Sequence, residues 1–492
     1  MNGPLCRRIA VWPVWVQTLA AALIGGAGAL GQAPYDWPVF TLAMLAFGLL
    51  LAQGAARPFI AGWALGAGYF AHTLIWILQP FLVEADRFGW LALPALILMA
   101  GGLAVFWGLA FAGARRLGLG ALGVVVGWTL AELARAYVFT GFPWGAPVQA
   151  LVGRWGGQGL AWAGPHGVMF LMMALAWGLG QGQGHKIRII SVIGAALLLW
   201  PFTASNPPLT DNWVRIVQPN AIQSRKWHPD WTDVFFDRQL SLSAADGLHR
   251  PDLIVWPETA VPWPLGQSAK HRAAIAAAAQ GAPVVLGLLR WEGFRVFNTL
   301  AVLDRGGQVS ETYDKHHLVP FTEYIPLGWI SNYFGLGGVW SDRGFGFAAG
   351  AGAKLVDLGA VGLALPLICY EAVFAQDVNA APGRARLIVQ ITNDAWFGER
   401  AGPQQHLALA RMRAIEQGLP LVRAANTGIS AMVGPQGQVL QALGQGQAGF
   451  LDAPLPAPRA PTLYSRLGDG PIGLVLVLML AGAAIGRAQR LK

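Results

Sequence analysis

Three short segments of the chain each place a reactive side chain at the end of a predicted strand. Glu258 follows the apolar run Leu253–Trp256, and Cys369 follows the apolar run Leu363–Ile368. Lys315 lies in a polar segment, Tyr-Asp-Lys-His-His, that also has the character of a strand end. Because active sites of α/β proteins lie at the carboxyl ends of strands, these locations suit one shared site.

The chemistry that fits these three residues is nucleophilic catalysis by Cys369. A free thiol is only slightly ionised near neutral pH, so it needs a base or a cation nearby. Glu258 is the candidate base, and Lys315 would favour the thiolate and stabilise a tetrahedral oxyanion. The residues alone also fit simpler interpretations, in which Cys369 is an inert core residue and Glu258 pairs with Lys315.

The composition is that of a membrane protein. Of 492 residues, 54% are hydrophobic and only 12% are charged, and the mean hydropathy is +0.46. These values exclude a disordered chain and differ from a soluble protein, of which about a quarter is charged. Two cysteines exclude a disulfide scaffold, and neither they nor the histidines have metal-ligand spacing, so we expect no metal or other cofactor.

The positive charge is concentrated near the apolar segments. Residues 1–205 carry a net charge of +6 and the last six residues +3, whereas residues 206–486 are neutral overall. This distribution is typical of the cytoplasmic edge of a membrane rather than of a nucleic-acid-binding face, so we expect no nucleic-acid partner.

The apolar runs predict eight membrane-spanning helices, because each is close to the ~20 residues that cross the hydrocarbon layer. Seven spans lie in a membrane domain, residues 1–205, and the eighth lies in residues 463–492. The predicted spans are 9–30, 37–54, 58–80, 89–112, 118–139, 158–180, 187–203 and Pro471–Ile485.

The short loops predict the orientation. Alternate loops hold ten basic residues and the intervening loops hold two, so both termini are expected in the cytoplasm. Residues 206–462 then lie outside, between spans seven and eight. The first span could instead be a cleaved signal peptide, although its apolar run is longer than the usual ~7–15 residues. Glu132 and Arg135 inside span five are interpreted as a pair that neutralises itself.

Residues 206–462 alternate strand and helix patterns, which is typical of α/β layering. The number of strands favours two packed sheets flanked by helices. Predicted helices are Thr232–Ala245, Ala269–Gln280 and Pro403–Gln417. Predicted strands are Val214–Gln218, Leu253–Trp256, Val284–Leu289, Thr299–Leu303, Leu363–Ile368, Leu387–Thr392, Leu421–Ala424 and Ser430–Val433.

Five motifs in this region resemble the nitrilase, or carbon–nitrogen hydrolase, superfamily. The resemblance implies an αββα sandwich with a Glu-Lys-Cys triad formed by Glu258, Lys315 and Cys369. The motifs are Leu253–Glu258, Asp314–Phe321, Ile368–Glu371, Thr392–Phe397 and Arg423–Ser430.

The whole chain is similar to the bacterial apolipoprotein N-acyltransferase family, which combines eight spans with such a domain. Thr140–Trp144, Gln223–Trp227 and Thr322–Pro326 resemble motifs of that family, although Thr322 stands where Gly is expected. The resemblance implies transfer of an acyl chain from a phospholipid to a lipoprotein, whose N-terminal cysteine already carries diacylglycerol. The expected enzyme is a monomer in the bacterial inner membrane with a periplasmic site. Supporting roles are implied for Trp227, Glu323, Tyr324, Tyr370, Glu371, Asn393 and Trp396.

Two alternatives stay open at this level. A membrane-tethered amidase would use the same triad with water as the acceptor. A transporter or receptor would predict inverted repeats or midplane-broken helices in the first 205 residues, and no clear halves are visible there. A further hypothesis is a mobile arm at the membrane interface, with the aromatic residues Trp329, Tyr333, Phe334, Trp340, Phe345 and Phe347.

Overall fold

A computed structural model describes residues 4–181, 184–247, 249–324 and 346–490. The chain divides into two compact units. A helical unit contains Met1–Ala204, Phe397–Gln417 and Pro461–Lys492, and a sheet unit contains Ser205–Trp396 and Gly418–Ala460. The predicted domain limits, 1–205, 206–462 and 463–492, stay a prediction, because a compact unit is not necessarily a separate domain. Most of the aromatic arm lies outside the described residues.

The first part of the helical unit consists of helices joined by short connections. Several begin with a proline in the first turn, where its missing N–H leaves no hydrogen bond unmade. The helices are α1 (Pro4–Ala10), α2 (Val14–Gly28), α3 (Pro38–Gly54), α4 (Pro58–Thr73), α5 (Gln79–Leu82), α6 (Ala85–Phe88), α7 (Ala92–Arg116), α8 (Gly120–Tyr137), α9 (Trp155–Gln158), α10 (Leu160–Gln181) and α11 (His185–Leu199).

Within the described residues, four helical segments are long and apolar enough to cross a membrane: Val14–Gly31, Ala85–Arg116, Gly120–Thr140 and Leu160–Gly180. The pair Pro58–Thr73 and Ile75–Leu82 would make a fifth span, bent by 63°. Two shorter apolar helices occupy Pro38–Gly54 and Gly470–Gly486. These helices indicate a membrane protein, and the count of eight spans stays a prediction.

The sheet unit contains two six-stranded sheets in the described part of the chain. Their strand orders are β12-β1-β2-β3-β4-β5 and β11-β10-β9-β8-β7-β6. The strands are β1 (Leu209–Gln218), β2 (Leu253–Val255), β3 (Val284–Glu292), β4 (Arg295–Leu303), β5 (Val309–Asp314), β6 (Val356–Asp357), β7 (Leu363–Ile368), β8 (Leu387–Thr392), β9 (Leu421–Ala425), β10 (Ser430–Val433), β11 (Val439–Leu443) and β12 (Gly449–Pro456).

The two sheets have the same internal arrangement, although the sequence has no visible repeat. Strands β1, β2 and β3 run parallel and are followed by antiparallel β4 and β5. In the same way, β7, β8 and β9 run parallel and are followed by antiparallel β10 and β11. The carboxyl ends of the parallel strands therefore meet at one edge of each sheet, which is where side chains from separate motifs can converge.

Helices of the sheet unit are α12 (Gln223–Lys226), α13 (Pro229–Ala244), α14 (Ala269–Ala278) and α15 (Ala375–Asn379). One core cluster contains residues of α13, α14 and strands β1 to β4. Phe236 of α13, Ile275 of α14 and Leu286 of β3 are buried in it together with Trp256. This burial explains why apolar runs predicted these strands and helical patterns predicted these helices.

Three later helices belong to the helical unit: α16 (Gly402–Gln417), α17 (Leu463–Leu467) and α18 (Gly470–Arg490). A buried amide on α16 explains its place. The Gln405 side chain accepts a hydrogen bond from Trp144 Nε1 at 2.8 Å and donates to the carbonyl oxygens of Thr73 and Ala33. Trp144 is the last residue of the motif Thr140–Trp144, so this motif anchors α16.

Glu132 and Arg135 form a buried ion pair on α8, with 2.6 Å between Arg135 Nη2 and Glu132 Oε2. Trp107 Nε1 donates to Glu132 Oε1 at 2.8 Å. Arg135 Nη1 donates to the carbonyl oxygens of Phe142 and Trp144, the latter at 2.9 Å. The two charges therefore satisfy each other and hold the segment that follows α8, which supports the structural interpretation.

We predict that Arg135→Met destabilises the protein by about 3–5 kcal/mol, because it leaves a carboxylate buried without its partner. The double variant Glu132→Gln/Arg135→Met should recover part of that loss, since neither charge remains. Thermal unfolding of the detergent-solubilised protein measures both. Equal midpoints for Arg135→Met and the unchanged protein would contradict a stabilising pair.

Candidate active site

The two sheets bring the three predicted reactive residues together. Glu258 follows β2, Lys315 directly follows β5 and Cys369 directly follows β7, and all three are buried. Lys315 Nζ lies 3.8 Å from Glu258 Oε1. The charges of Glu258 and Lys315 both act on the Cys369 thiol. A thiol, a carboxylate and an ammonium thus share one buried site.

The Glu258 carboxylate is held by two neutral donors. Asn298 Nδ2 on β4 donates to Oε1 at 2.7 Å, and the backbone N–H of Asn393 donates to Oε2 at 2.8 Å. Asn393 follows β8, so the two donors come from different sheets. With one donor on each oxygen, the orientation of the carboxylate is fixed.

Lys315 lies between two carboxylates. Its Nζ donates to Glu323 Oε1 at 2.8 Å, and Glu323 Oε2 accepts from the backbone N–H of Val319 at 2.7 Å. Burial lowers the pKa of Lys315, but the charges of Glu323 and Glu258 outweigh it and raise the pKa above its ordinary value. Burial raises the pKa of Glu323, and Lys315 offsets part of that effect. Lys315 is therefore a permanently charged ammonium.

Cys369 has two unusual properties. Its φ is +51°, in the left-handed region that a residue with a Cβ rarely adopts. Burial raises the pKa of its thiol, Glu258 raises it further, and Lys315 lowers it by less. Lys315 thus acts in the predicted direction, toward the thiolate, but burial and the Glu258 charge raise the pKa by more, so the thiol form prevails in the resting site. A base must therefore remove the proton as the sulfur reacts.

Glu371 is a buried structural link between the Lys315 and Cys369 segments. Its Oε1 accepts from the Tyr313 hydroxyl and the His316 N–H, each at 2.8 Å, and its Oε2 accepts from the Ile368 N–H at 2.8 Å. Burial raises the pKa of Glu371, but His316 and these backbone donors outweigh it and lower the pKa below its ordinary value of 4.5. Tyr370, next to Glu371, is buried as well.

The remaining predicted residues differ in whether they contact the three reactive residues. Asn393 contacts Glu258 directly, as described above. Trp227 keeps 42% and Trp396 keeps 40% of its surface exposed. Tyr324 forms a backbone bridge with Pro320. Within the described residues, no side-chain hydrogen bond links Trp227, Trp396 or Tyr324 to the three reactive residues.

Two site residues were missed at the sequence level. Asn298 interrupts the apolar strand β4, and a lone amide in a buried strand is the signal that marks it. Lys226 is buried and donates to the Glu258 carbonyl oxygen and to Thr259 Oγ1. It lies in the motif Gln223–Trp227, directly before the predicted residue Trp227. The described residues contain no cluster of three or more potential metal ligands.

Comparison with known proteins identifies the family. Residues 214–461 match the model of the carbon–nitrogen hydrolases, and residues 24–178 match the N-terminal domain of apolipoprotein N-acyltransferases. The apolipoprotein N-acyltransferase of Brucella suis is 36% identical, and the alignment covers 99% of this chain and 98% of that relative. The chain belongs to the apolipoprotein N-acyltransferase family.

A second sequence relative gives the same assignment. The apolipoprotein N-acyltransferase of Rhodopseudomonas palustris is 35% identical over 95% of this chain and 94% of its own length. Among solved structures, an amidase from Nesterenkonia sp. AN1 is 22% identical, covers 52% of this chain and 94% of its own, and has a TM-score of 0.36. The family assignment rests on the sequence relatives.

We predict that Glu371→Gln destabilises the protein by about 1–3 kcal/mol, because the amide turns a donor toward another buried donor. The pKa of Glu371 is lowered on folding, so its stabilising contribution is complete above about pH 4.5 and is lost as pH falls through the folded value. The midpoint difference between the variant and the unchanged protein should therefore shrink below that pH. Thermal unfolding from pH 7 to pH 3.5 measures it.

Glu292→Gln serves as the control, because this carboxylate is exposed and forms an ion pair with Arg290 at the protein surface. Its effect should stay within about 0.5 kcal/mol at every pH. A Glu371→Gln difference that is constant from pH 7 to pH 3.5 would show that the carboxylate charge is not what stabilises this link.

Proposed function

We propose that the protein transfers an acyl chain from a phospholipid to the α-amine of an S-diacylglyceryl-cysteine at the N-terminus of a lipoprotein. The observation that carries this proposal is the 36% identity to an apolipoprotein N-acyltransferase over 99% of the chain. Residues 24–178, in the helical unit, also match this family. An amidase that uses water as the acceptor would not need such a unit. The geometry of the buried site supplies the chemistry.

In the donor half-reaction, Cys369 Sγ attacks the ester carbonyl carbon of the phospholipid while Glu258 takes the thiol proton. Lys315 stabilises the negative charge on the tetrahedral oxygen. The carbon–oxygen bond of the ester then breaks, and Glu258 returns the proton to the departing lysophospholipid. The product is a thioester on Cys369, and no other reactant is consumed.

In the acceptor half-reaction, the α-amine of the lipoprotein attacks the thioester carbonyl carbon. Only an unprotonated amine can attack, and its ordinary pKa is about 7.7–8.0. Glu258 takes a proton from the nitrogen as the carbon–sulfur bond breaks, and that proton returns to the Cys369 sulfur. The raised pKa of Cys369 makes its thiol form stable again at the end of the cycle.

We further propose that the chain crosses the bacterial inner membrane eight times as a monomer, with both termini in the cytoplasm and the site on the periplasmic side. The ten-to-two distribution of basic residues in the short loops supports this orientation. Both proposed substrates are anchored in a membrane by acyl chains, which suits an enzyme that is itself a membrane protein.

We predict that incubation with phospholipid adds one acyl chain to the protein and none to Cys369→Ala. The thioester should be released by hydroxylamine, and intact-mass spectrometry of the detergent-solubilised protein measures both. A chase with a diacylglyceryl-cysteine peptide should move the acyl chain to the peptide amine.

Two results would contradict the proposal in different ways. Hydrolysis of the adduct at the same rate with and without the peptide would favour the amidase. No adduct on folded protein would mean that Cys369 does not accept acyl chains from phospholipid.

We predict for the topology that a fluorescent protein fused to the C-terminus folds in the cytoplasm, whereas alkaline phosphatase fused there stays inactive. Inserting alkaline phosphatase after Asp304, in an exposed turn of the sheet unit, should give an active periplasmic enzyme. Activity from the C-terminal phosphatase fusion would overturn the predicted orientation.

A further inference from the structure

The turn that carries Glu258 has a backbone conformation that is not stable by itself. Thr259 has a φ of +45°, in the left-handed region. A β-branched residue is strained there, and the conformation persists only when neighbouring groups hold it. Relaxation of Thr259 would move Glu258, whose carboxylate orientation depends on hydrogen bonds from Asn298 and Asn393.

One side of the turn is held by the backbone of β3. The Ala260 N–H donates to the Gly287 carbonyl oxygen at 2.8 Å, and the Gly287 N–H donates to the Pro257 carbonyl oxygen at 3.2 Å. A Cβ on residue 287 would lie 2.4 Å from Thr259 N and 2.7 Å from Glu258 Cα. Gly287 therefore lets β3 approach the turn closely. Its backbone hydrogen bonds, however, go to the residues on either side of Glu258 and Thr259, and not to these two residues.

The other side is held by Lys226, from the short helix α12. Its Nζ donates to the Glu258 carbonyl oxygen at 3.2 Å and to Thr259 Oγ1 at 2.8 Å. One ammonium thus binds both residues of the turn, and both acceptors are neutral oxygens. Burial lowers the pKa of Lys226 to about 8, although the Glu258 charge opposes it. A buried ammonium is costly, so its position requires a specific reason.

The same helix also reaches the carboxylate end of Glu258. Gln223 Oε1 accepts a hydrogen bond from Asn393 Nδ2 at 2.8 Å, and Asn393 donates its backbone N–H to Glu258 Oε2. Helix α12 therefore contacts the Glu258 backbone through Lys226 and the Glu258 carboxylate through Gln223 and Asn393. It therefore holds both ends of Glu258, the base in the proposed function.

We propose that Lys226 is a positioning residue, which holds the Glu258–Thr259 turn in its left-handed conformation and so keeps the Glu258 carboxylate in place for Cys369. The inference rests on the proposed function, because it assigns Lys226 a role in the reaction for which Glu258 is the base. Lys226 acts through the turn and does not touch the reacting atoms.

The first test compares two substitutions of Thr259 that differ in one group. Thr259→Val removes the hydroxyl that Lys226 binds and keeps the branched side chain, whereas Thr259→Ser keeps the hydroxyl. We expect Thr259→Val to slow acylation of Cys369 about 10- to 100-fold, as a small misplacement of a catalytic group does. Thr259→Ser should stay within about 3-fold of the unchanged protein, since the hydrogen bond remains.

The second test asks whether a flexible turn makes Lys226 unnecessary. Lys226→Met should slow acylation to a similar extent. The double variant Lys226→Met/Thr259→Gly should acylate about 10-fold faster than Lys226→Met, because glycine adopts the left-handed conformation without a stabilising partner. A merely structural role of Lys226 would not produce this rescue. Lys270→Met, an exposed lysine on α14, is the matched control and should leave the rate unchanged.

Acylation rates come from intact-mass time courses with a phospholipid of defined acyl chains in detergent micelles, over a range of lipid concentrations. The maximal rate should fall while the half-saturating concentration stays constant, since Lys226 positions Glu258 and does not bind lipid. Thermal unfolding midpoints identify any variant that fails to fold, in which case the Val and Ser pair decides.

Equal rates for Thr259→Val and Thr259→Ser, or a double variant no faster than Lys226→Met, would overturn the inference. The proposed function fails in a distinguishable way, through the absence of a Cys369-dependent adduct on the unchanged protein. An adduct whose rate is insensitive to Lys226 and Thr259 would leave the proposed function intact and reject only the positioning role.

Discussion

The site depends on one buried ammonium, that of Lys315, held between the carboxylates of Glu258 and Glu323. An isolated charge at this depth would be strongly unfavourable, so the three groups stabilise one another and none can be removed alone. Burial and the charge of Glu258 raise the pKa of the Cys369 thiol by more than Lys315 lowers it. In the proposed reaction Cys369 therefore becomes a nucleophile only as Glu258 accepts its proton.

The arrangement of strands in the two sheets brings this cluster together. Each contributes three parallel strands whose carboxyl ends lie at one edge, so Glu258 from the first sheet meets Cys369 and Asn393 from the second. Strain is stored at two of these strand ends, in the positive φ values of Thr259 and Cys369. Buried hydrogen bonds hold the backbone at both strained positions. Glu371 forms them near Cys369, and helix α12 forms them at Thr259.

The helical unit follows a different constraint, because lipid offers no hydrogen-bond partners to polar groups. The charges of Glu132 and Arg135 are therefore satisfied internally, by each other and by an indole and two carbonyl oxygens. The Gln405 amide is satisfied in the same manner, by Trp144 and two backbone carbonyls. These polar contacts fix the positions of α8, α16 and the segment that ends at Trp144, because hydrogen bonds are directional and apolar packing is not.

The class of protein, its family and all eight predicted strands could be read from the sequence, because apolar periodicity and local motifs are properties of short segments. The same motifs named Glu258, Lys315 and Cys369 as candidate reactive residues. The strands β5, β6, β11 and β12 were missed, since they are short, at a sheet edge or more polar than the central strands, so their pairing depends on a neighbour already in place. Asn298 and Lys226 as partners of Glu258, and the raised pKa of the Cys369 thiol, became visible in the folded chain alone. Each of these depends on burial and on distances between residues far apart in the chain, which no local pattern encodes.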